Sequence, residues 1–170
     1  IISSSSQEEI NHIVMVQGDE PLLIPDTISR ALDDLNEDQI DISNVMCKFK
    51  EQKYFENRNN IKVVVNKMNQ ALYFSRAPIP FEANVEEIPC YMQTGIIGFS
   101  RESLLTFNKS QDTMLEKVES VDMHRILETG TKVKMVLSDS FTIGVDTNEE
   151  LELVESEIQQ DQFLKKYIHL

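Results

Sequence analysis

The run His12-Ile13-Val14-Met15-Val16, closed by Gln17-Gly18-Asp19-Glu20-Pro21 and followed at once by a helical pattern, constrains this chain more than any other segment. The apolar residues read as a buried strand, and the Gly18 turn ends it. Pro25 and Asp26 then open a stretch with Ile28, Ala31, Leu32 and Leu35 on one side and Asp33, Asp34 and Glu37 elsewhere. That is helical spacing with an acidic first turn. A strand, a turn and a helix in immediate succession bury their apolar faces in a layered α/β architecture, whose ligands bind at the carboxyl ends of strands. Asp19 therefore stands where a carboxylate can face an open crevice and hold a divalent cation; its alternative role is a turn that only caps the next helix.

The remaining pattern extends this unit into a sheet. Residues 45–49 read as a short strand, 51–55 as a helical turn, and 61–65 with 71–74 as a strand pair joined by 66–69. Pro78, Pro80 and Pro89 forbid regular central strands, so 76–89 is expected to be a loop or arm. Residues 96–99 form another strand and 101–107 a helix capped by Ser100. Residues 113–129 have the spacing of one helix, with Gly130 at its stop, and 132–137 alternate as a strand does. Thr147 with Glu150 makes a capping box for a last helix through Leu153 and Ile158. The expected fold is α/β, a mixed and mostly parallel sheet flanked by helices. At 170 residues and 41% hydrophobic content it forms a single domain over 1–170.

Sixteen basic against 29 acidic residues give a formal charge of −13. Nucleic acid and anionic membranes demand a cationic face, so neither is expected as a partner. An acidic protein still binds anionic ligands if metal ions and a few local cations intervene. Cys47 and Cys90 lack the close spacing of a zinc or redox site and are expected to be reduced thiols. The opening Ile1-Ile2-Ser3-Ser4-Ser5-Ser6 has no basic region before an apolar one, and no stretch approaches a membrane span. A cytoplasmic protein is expected.

Three motifs in order carry a family resemblance: Gln17-Gly18-Asp19-Glu20-Pro21, Ala71-Leu72-Tyr73-Phe74-Ser75-Arg76-Ala77-Pro78-Ile79-Pro80, and Gly144-Val145-Asp146-Thr147-Asn148-Glu149-Glu150-Leu151. Together they resemble the 3-deoxy-manno-octulosonate cytidylyltransferases, or CMP-Kdo synthetases, over Ile1 to Glu157. Leu115-Glu116-Lys117-Val118-Glu119 resembles that family's Leu-Glu-x-Ile-Glu. The resemblance implies a Rossmann-like nucleotide-diphospho-sugar transferase fold with a dimerisation arm. It also implies a cytoplasmic homodimeric nucleotidyltransferase that moves CMP from CTP to the anomeric hydroxyl of 3-deoxy-manno-octulosonate, releasing pyrophosphate, for lipopolysaccharide biosynthesis. Asp19 and Asp146 would hold Mg²⁺ and carry the catalysis, and Gln17, Arg76, Gln93 and Asp122 would meet the substrates.

Each candidate has a plainer role beside it. Gln17 could contact base or ribose, or bond backbone at a strand end. Arg76 could fork a carboxylate, or fix the arm as an ion pair. Glu20 could support the site from behind its ligands or cap the helix at Pro25, the cap being expected, and His12 and His124 are expected to be structural. The sugar side departs from the family pattern, with Gln93 in place of a His, Ile97 in place of a Tyr, Asp122-Met123 in place of Glu-Gln, and Glu82 and Glu86 in place of basic residues. A related ulosonic acid is therefore an alternative substrate. The family's basic glycine-containing loop has no counterpart here, so the chain is expected to match the carboxyl two thirds of such a protein and to transfer little CMP alone. A non-catalytic interaction protein is the second alternative.

Overall fold

The computed structural model describes residues 10–35 and 40–159. The opening serines and Glu37 lie outside them. The elements are β1 (His12–Val16), α1 (Pro25–Leu35), β2 (Ile42–Lys48), α2 (Gln52–Glu56), β3 (Lys62–Val65) and β4 (Ala71–Ser75). They continue with β5 (Tyr91–Ser100), α3 (Arg101–Lys109), α4 (Met114–Glu119), α5 (Met123–Leu127), β6 (Lys134–Ser138) and α6 (Asn148–Ile158).

Among the described residues six strands form one sheet in the order β4-β3-β5-β2-β6, with β1 also on β5. The expectation of a mostly parallel sheet is corrected here. β5 runs antiparallel to β1, β2 and β3, β3 is antiparallel to β4, and only β2 with β6 is parallel. Alternating strands and helices along a chain do not state which strands become neighbours. The short link 66–70 lets β3 and β4 pair as a hairpin, while α3, α4 and α5 all fall between β5 and β6.

Strand alternation divides the core between two faces. Ala31 of α1 packs with Val45, Ile96 and Val136 on one. Their immediate neighbours along the same strands, Met46, Ile97 and Met135, pack on the other with Phe99, Met123 and Ile126. α1 settles against β5 because Gly98 lacks a Cβ, which would lie 2.9 Å from Leu35 Cδ1 and 2.5 Å from Ser43 Oγ. Ser43 Oγ instead donates to the Ala31 carbonyl at 2.7 Å.

The helix expected over 113–129 divides in two. Ser120, at φ 53°, turns the chain into the left-handed region between α4 and α5, and Gly130 takes φ 81° beyond α5. Residues 76–89 carry no helix or strand, as the prolines dictate. Both expected helix starts are present: Ser100 Oγ accepts from Ser103 N–H, and Thr147 with Glu150 closes a capping box.

Glu119, at the end of α4, fastens the head of the arm. Its carboxylate accepts from the Arg76 amide at 2.9 Å, Tyr73 Oη at 3.1 Å and Ser75 Oγ at 3.2 Å. Behind it, fully buried Lys62 donates through Nζ to the carbonyls of Asn57, Asn60 and Arg76 at 2.7, 2.8 and 2.9 Å. Burial and the neighbouring Arg76 charge push the Lys62 ammonium down to about 8.

Burial alone would raise the Glu119 pKa, but the Arg76 amide and the Tyr73 and Ser75 hydroxyls together hold it below the usual carboxylate range. The unfolded chain, with Glu near ~4.3, then binds the proton first as pH falls. Glu119 therefore stabilises the fold above ~4.3 and loses that contribution as pH drops through its lower folded pKa. Glu119→Gln is expected to reduce stability at pH 7 and to flatten the acid limb of stability against pH. Urea denaturation at several pH values checks this, and parallel acid limbs in both proteins would refute it.

Candidate functional site

β5 is irregular at its middle, and the site is built on that irregularity. Asn44 of β2 stands opposite Ile97 and Met46 opposite Gln93, so Thr94, Gly95 and Ile96 face the single residue Val45. Such a bulge leaves ladder groups without partners. The fully buried Asn44 side chain supplies them: its Nδ2 donates to Thr94 O at 3.0 Å and Ile96 O at 2.9 Å. Two carbonyl acceptors fix which end of the Asn44 amide faces the bulge, and Oδ1 is left to accept from Gln93 Nε2 at 2.8 Å.

The opposite edge of β5 is shared. β1 pairs with residues 96–100 and β3 with 91–92, and the bulge falls between them. There the turn after β1 takes over. Gln17 N–H donates to Gly95 O at 3.0 Å, and Gly95 N–H donates to Glu20 Oε1. Glu20 is thus a partner of the bulge rather than the helix cap expected from sequence. Burial, with the Asp19 charge adding to it, pushes Glu20 up to about 7 against the lowering effect of the Gly95 amide. The Gln17 side chain lies over Gly95, where a Cβ would stand 2.5 Å from Gln17 Oε1.

This gap in the ladder opens into a cleft of about 590 Å³. All six residues singled out from the sequence, Asp19, Asp146, Gln17, Arg76, Gln93 and Asp122, line it. Asp19 and Asp146 are both exposed, and the Val145 N–H donates to the Asp19 carbonyl at 2.9 Å, which tethers the two acidic loops. Asp146 does not follow a strand directly; it lies in the loop between β6 and α6. Arg76 forms the wall with three nitrogens engaged, Nε on Glu119 O, Nη1 on Arg58 O and Nη2 on Ser120 O, at 2.8, 3.2 and 3.1 Å. Its partners are carbonyls rather than the expected ion pair. Burial holds the Asp122 carboxyl above its ordinary range.

Two altered positions do not belong to this wall. Ile97 and Met123 are buried in the core, 1% and 0% exposed, so neither bears directly on what enters the cleft. Ile97 shares its face of β5 with Gln93 but lies beyond the bulge, beside β1. His124 is buried with its ring nitrogen Nε2 on Phe74 O at 2.7 Å, outside the cleft, and His12 sits in β1. Asn59, Asn60, Asp112 and Lys117 also line the cleft. Asn59, Asn60 and Asp112 carry no signal in the sequence, because solvated loop residues have no periodicity that sets them apart; Lys117, in α4, stands at the variable position of the Leu-Glu-x-Ile-Glu motif.

Among the described residues no three His, Cys, Asp or Glu side chains cluster as a metal cage. Asp19 and Asp146 nonetheless fit a hard cation of the Mg²⁺ kind, which commonly rests on one or two carboxylates and takes its other oxygens from water and phosphate. The free thiols Cys47 and Cys90 are buried, and burial pushes Cys47 up to about 12, so it has no reactive thiolate.

Residues 2–136 match the family model described as "Cytidylyltransferase". The chain is 34% identical over 154 residues to the 3-deoxy-manno-octulosonate cytidylyltransferase of Fusobacterium nucleatum, covering 90% of this chain and 63% of that protein. It is 31% identical over 151 residues to the 8-amino-3,8-dideoxy-manno-octulosonate cytidylyltransferase of Shewanella pealeana, covering 88% of this chain and 62% of that one. In structure it is similar to CMP:2-keto-3-deoxy-manno-octonic acid synthetase complexed with CTP. That match has a TM-score of 0.78 and 29% identity, over 91% of this chain and 64% of the other. The chain thus spans just under two thirds of the length of these relatives.

Removing the Asn44 amide strands two bulge carbonyls and the Gln93 amide inside the sheet. An unmatched buried polar group costs about 1–3 kcal/mol, so Asn44→Ala is expected to destabilise the fold by roughly 2–4 kcal/mol. The midpoint of urea unfolding reads this directly; a shift below about 0.5 kcal/mol would show that the bulge does not depend on Asn44.

Proposed function

Because the chain belongs to the cytidylyltransferase family, we propose that it serves the transfer of CMP from CTP to the anomeric hydroxyl of an octulosonate-type sugar, 3-deoxy-manno-octulosonate first, with release of pyrophosphate. The observation that carries this reading is the convergence of Asp19 and Asp146 on one cleft from loops joined by the Val145 N–H to Asp19 O bond.

Displacement at phosphorus needs positioning and charge neutralisation more than covalent help from the protein. In this reading Asp19 and Asp146 hold Mg²⁺. When bound, the ion neutralises triphosphate oxygens and makes the sugar hydroxyl a better nucleophile. The chain's own residues do the placing. The bulge fixes Gln17 over Gly95, where its amide can meet the nucleotide. Arg76, tied to three carbonyls, keeps the wall formed by the arm and α4 in place. Asp122 and Gln93 face the acceptor sugar. The exposed arm 76–89 contributes to a homodimer.

The name of the Shewanella relative favours a second acceptor, an octulosonate bearing an amine, and Gln93 is compatible with it without separating an amine from a hydroxyl. Gln93 Nε2 is committed to Asn44, and its Oε1 has no donor among the described residues. A carbonyl oxygen held this way accepts from an ammonium or hydroxyl donor and offers none in return. The Shewanella relative carries an 8-amino sugar in its name.

Transfer is tested with CTP, Mg²⁺ and a panel of ulosonic acids that includes an amino form. Asp19→Asn and Asp146→Asn are each expected to lower turnover by ~10²–10³-fold or more, with thermal stability in metal-free buffer unchanged or raised. With a parent that transfers CMP, equal turnover in both variants would overturn the assignment; with a parent that only binds nucleotide, equal Mg²⁺-dependent binding in the variants would do so. An absence of both transfer and Mg²⁺-dependent nucleotide binding in the parent would favour the interaction protein.

A further inference from the structure

The cleft is strongly acidic, yet the function proposed above has it accept anions. Among the described residues six carboxylates line it, those of Asp19, Glu20, Asp112, Glu116, Asp122 and Asp146, against the cations of Arg76 and Lys117. The acids are not equivalent. Asp112 and Glu116 are both ion-paired with Arg125 Nη2, the former at 2.9 Å. Glu20 and Asp122 are partly buried, while Asp19 and Asp146 are exposed. A divalent ion on that last pair would meet the triphosphate. The acceptor brings a second negative group, the carboxylate of the sugar acid, for which the cleft's cations are further partners.

Of the two cations, Arg76 has each of its three nitrogens on a main-chain carbonyl. These bonds occupy three of its five N–H groups and hold the head against the main chain, leaving one N–H on each Nη. Lys117 lies in the second half of α4, exposed and lining the cleft, and its ammonium has no ion pair or hydrogen bond among the described residues. α4 itself is held on either side of Lys117: Glu116 by Arg125, and the Glu119 and Ser120 carbonyls by Arg76. The ammonium therefore extends from a fixed base. We propose that Lys117 receives the carboxylate of the acidic sugar and so sets the requirement for an acid rather than a neutral ketose. This assignment rests on the function proposed above and deepens it.

The test is calorimetric titration of the full chain in Mg²⁺ with a methylene-bridged, unreactive CTP analogue. The octulosonate is then added, and in a parallel arm its 1-carboxamide. A charge-assisted bond of this kind is worth roughly ten- to hundredfold in affinity. Lys117→Met is expected to weaken octulosonate binding by that factor, to leave the nucleotide unaffected and to bind the carboxamide as the parent does. Lys117→Arg should restore most of the acid affinity, which separates a lost charge from a disturbed helix. Equal octulosonate affinity in the parent and Lys117→Met would overturn the assignment while leaving the proposed function standing. A loss confined to the nucleotide would also overturn it, making Lys117 a phosphate contact. A parent that binds neither ligand would overturn the proposed function, and this inference with it.

Discussion

The bonds from Asn44 to the bulge of β5 are the constraint on which the rest of the site depends. A ten-residue strand with neighbours on both edges would ordinarily be straight and fully laddered. Three residues facing one break that ladder, and a buried side-chain amide replaces the missing partners from one edge while Gln17 and Glu20 replace them from the other. The exchange is favourable only because every group in it is directional. An apolar residue at 44 would leave carbonyls unmatched in the centre of the sheet. The same irregularity parts β1 from β3 along β5, and the cleft lies in that gap.

Charge in the cleft follows from the same geometry. Pulling Glu20 onto the Gly95 amide takes its carboxylate out of water beside Asp19, and both effects favour its neutral form. Asp112 and Glu116 are balanced by Arg125, whose guanidinium also lies 4.6 Å from the Phe107 ring centroid. The exposed negative charge is thereby concentrated on Asp19 and Asp146. An overall charge of −13 is compatible with an anionic ligand when the acids facing that ligand are few and can share a cation.

Much of the secondary structure was legible from local pattern. The Ser100 and Thr147 caps, the strand pair around residues 66–69, the proline-rich arm and the stop at Gly130 each follow from the chemistry of a few consecutive residues. Residues 113–129 read as one helix because apolar spacing continues across Ser120, whose left-handed backbone interrupts the hydrogen bonding without altering the pattern. The six site residues were found through motifs, and they do share one cleft. Asn44 was missed because a polar residue in a strand looks like an exposed one until its partners are known. Glu20 looked like a cap for the same reason, its partner being 75 residues away.

The sequence by itself determined the kind and order of most elements and their caps and turns, because these depend on residues within a turn or two of one another; it did not fix every end, since β2 and β5 begin before the strands expected at 45–49 and 96–99. It also marked Asp19 and Asp146 as candidates, through the motifs around them. Only the tertiary structure decided that the sheet is mostly antiparallel, that β5 bulges at Gly95, that Ile97 and Met123 are core residues, and that Arg76 is engaged by main-chain carbonyls while Lys117 makes no ion pair or hydrogen bond among the described residues. Strand neighbours, burial and ionic partners arise from contacts between residues far apart in the chain, and no local pattern of hydrophobicity or charge encodes which distant group will arrive.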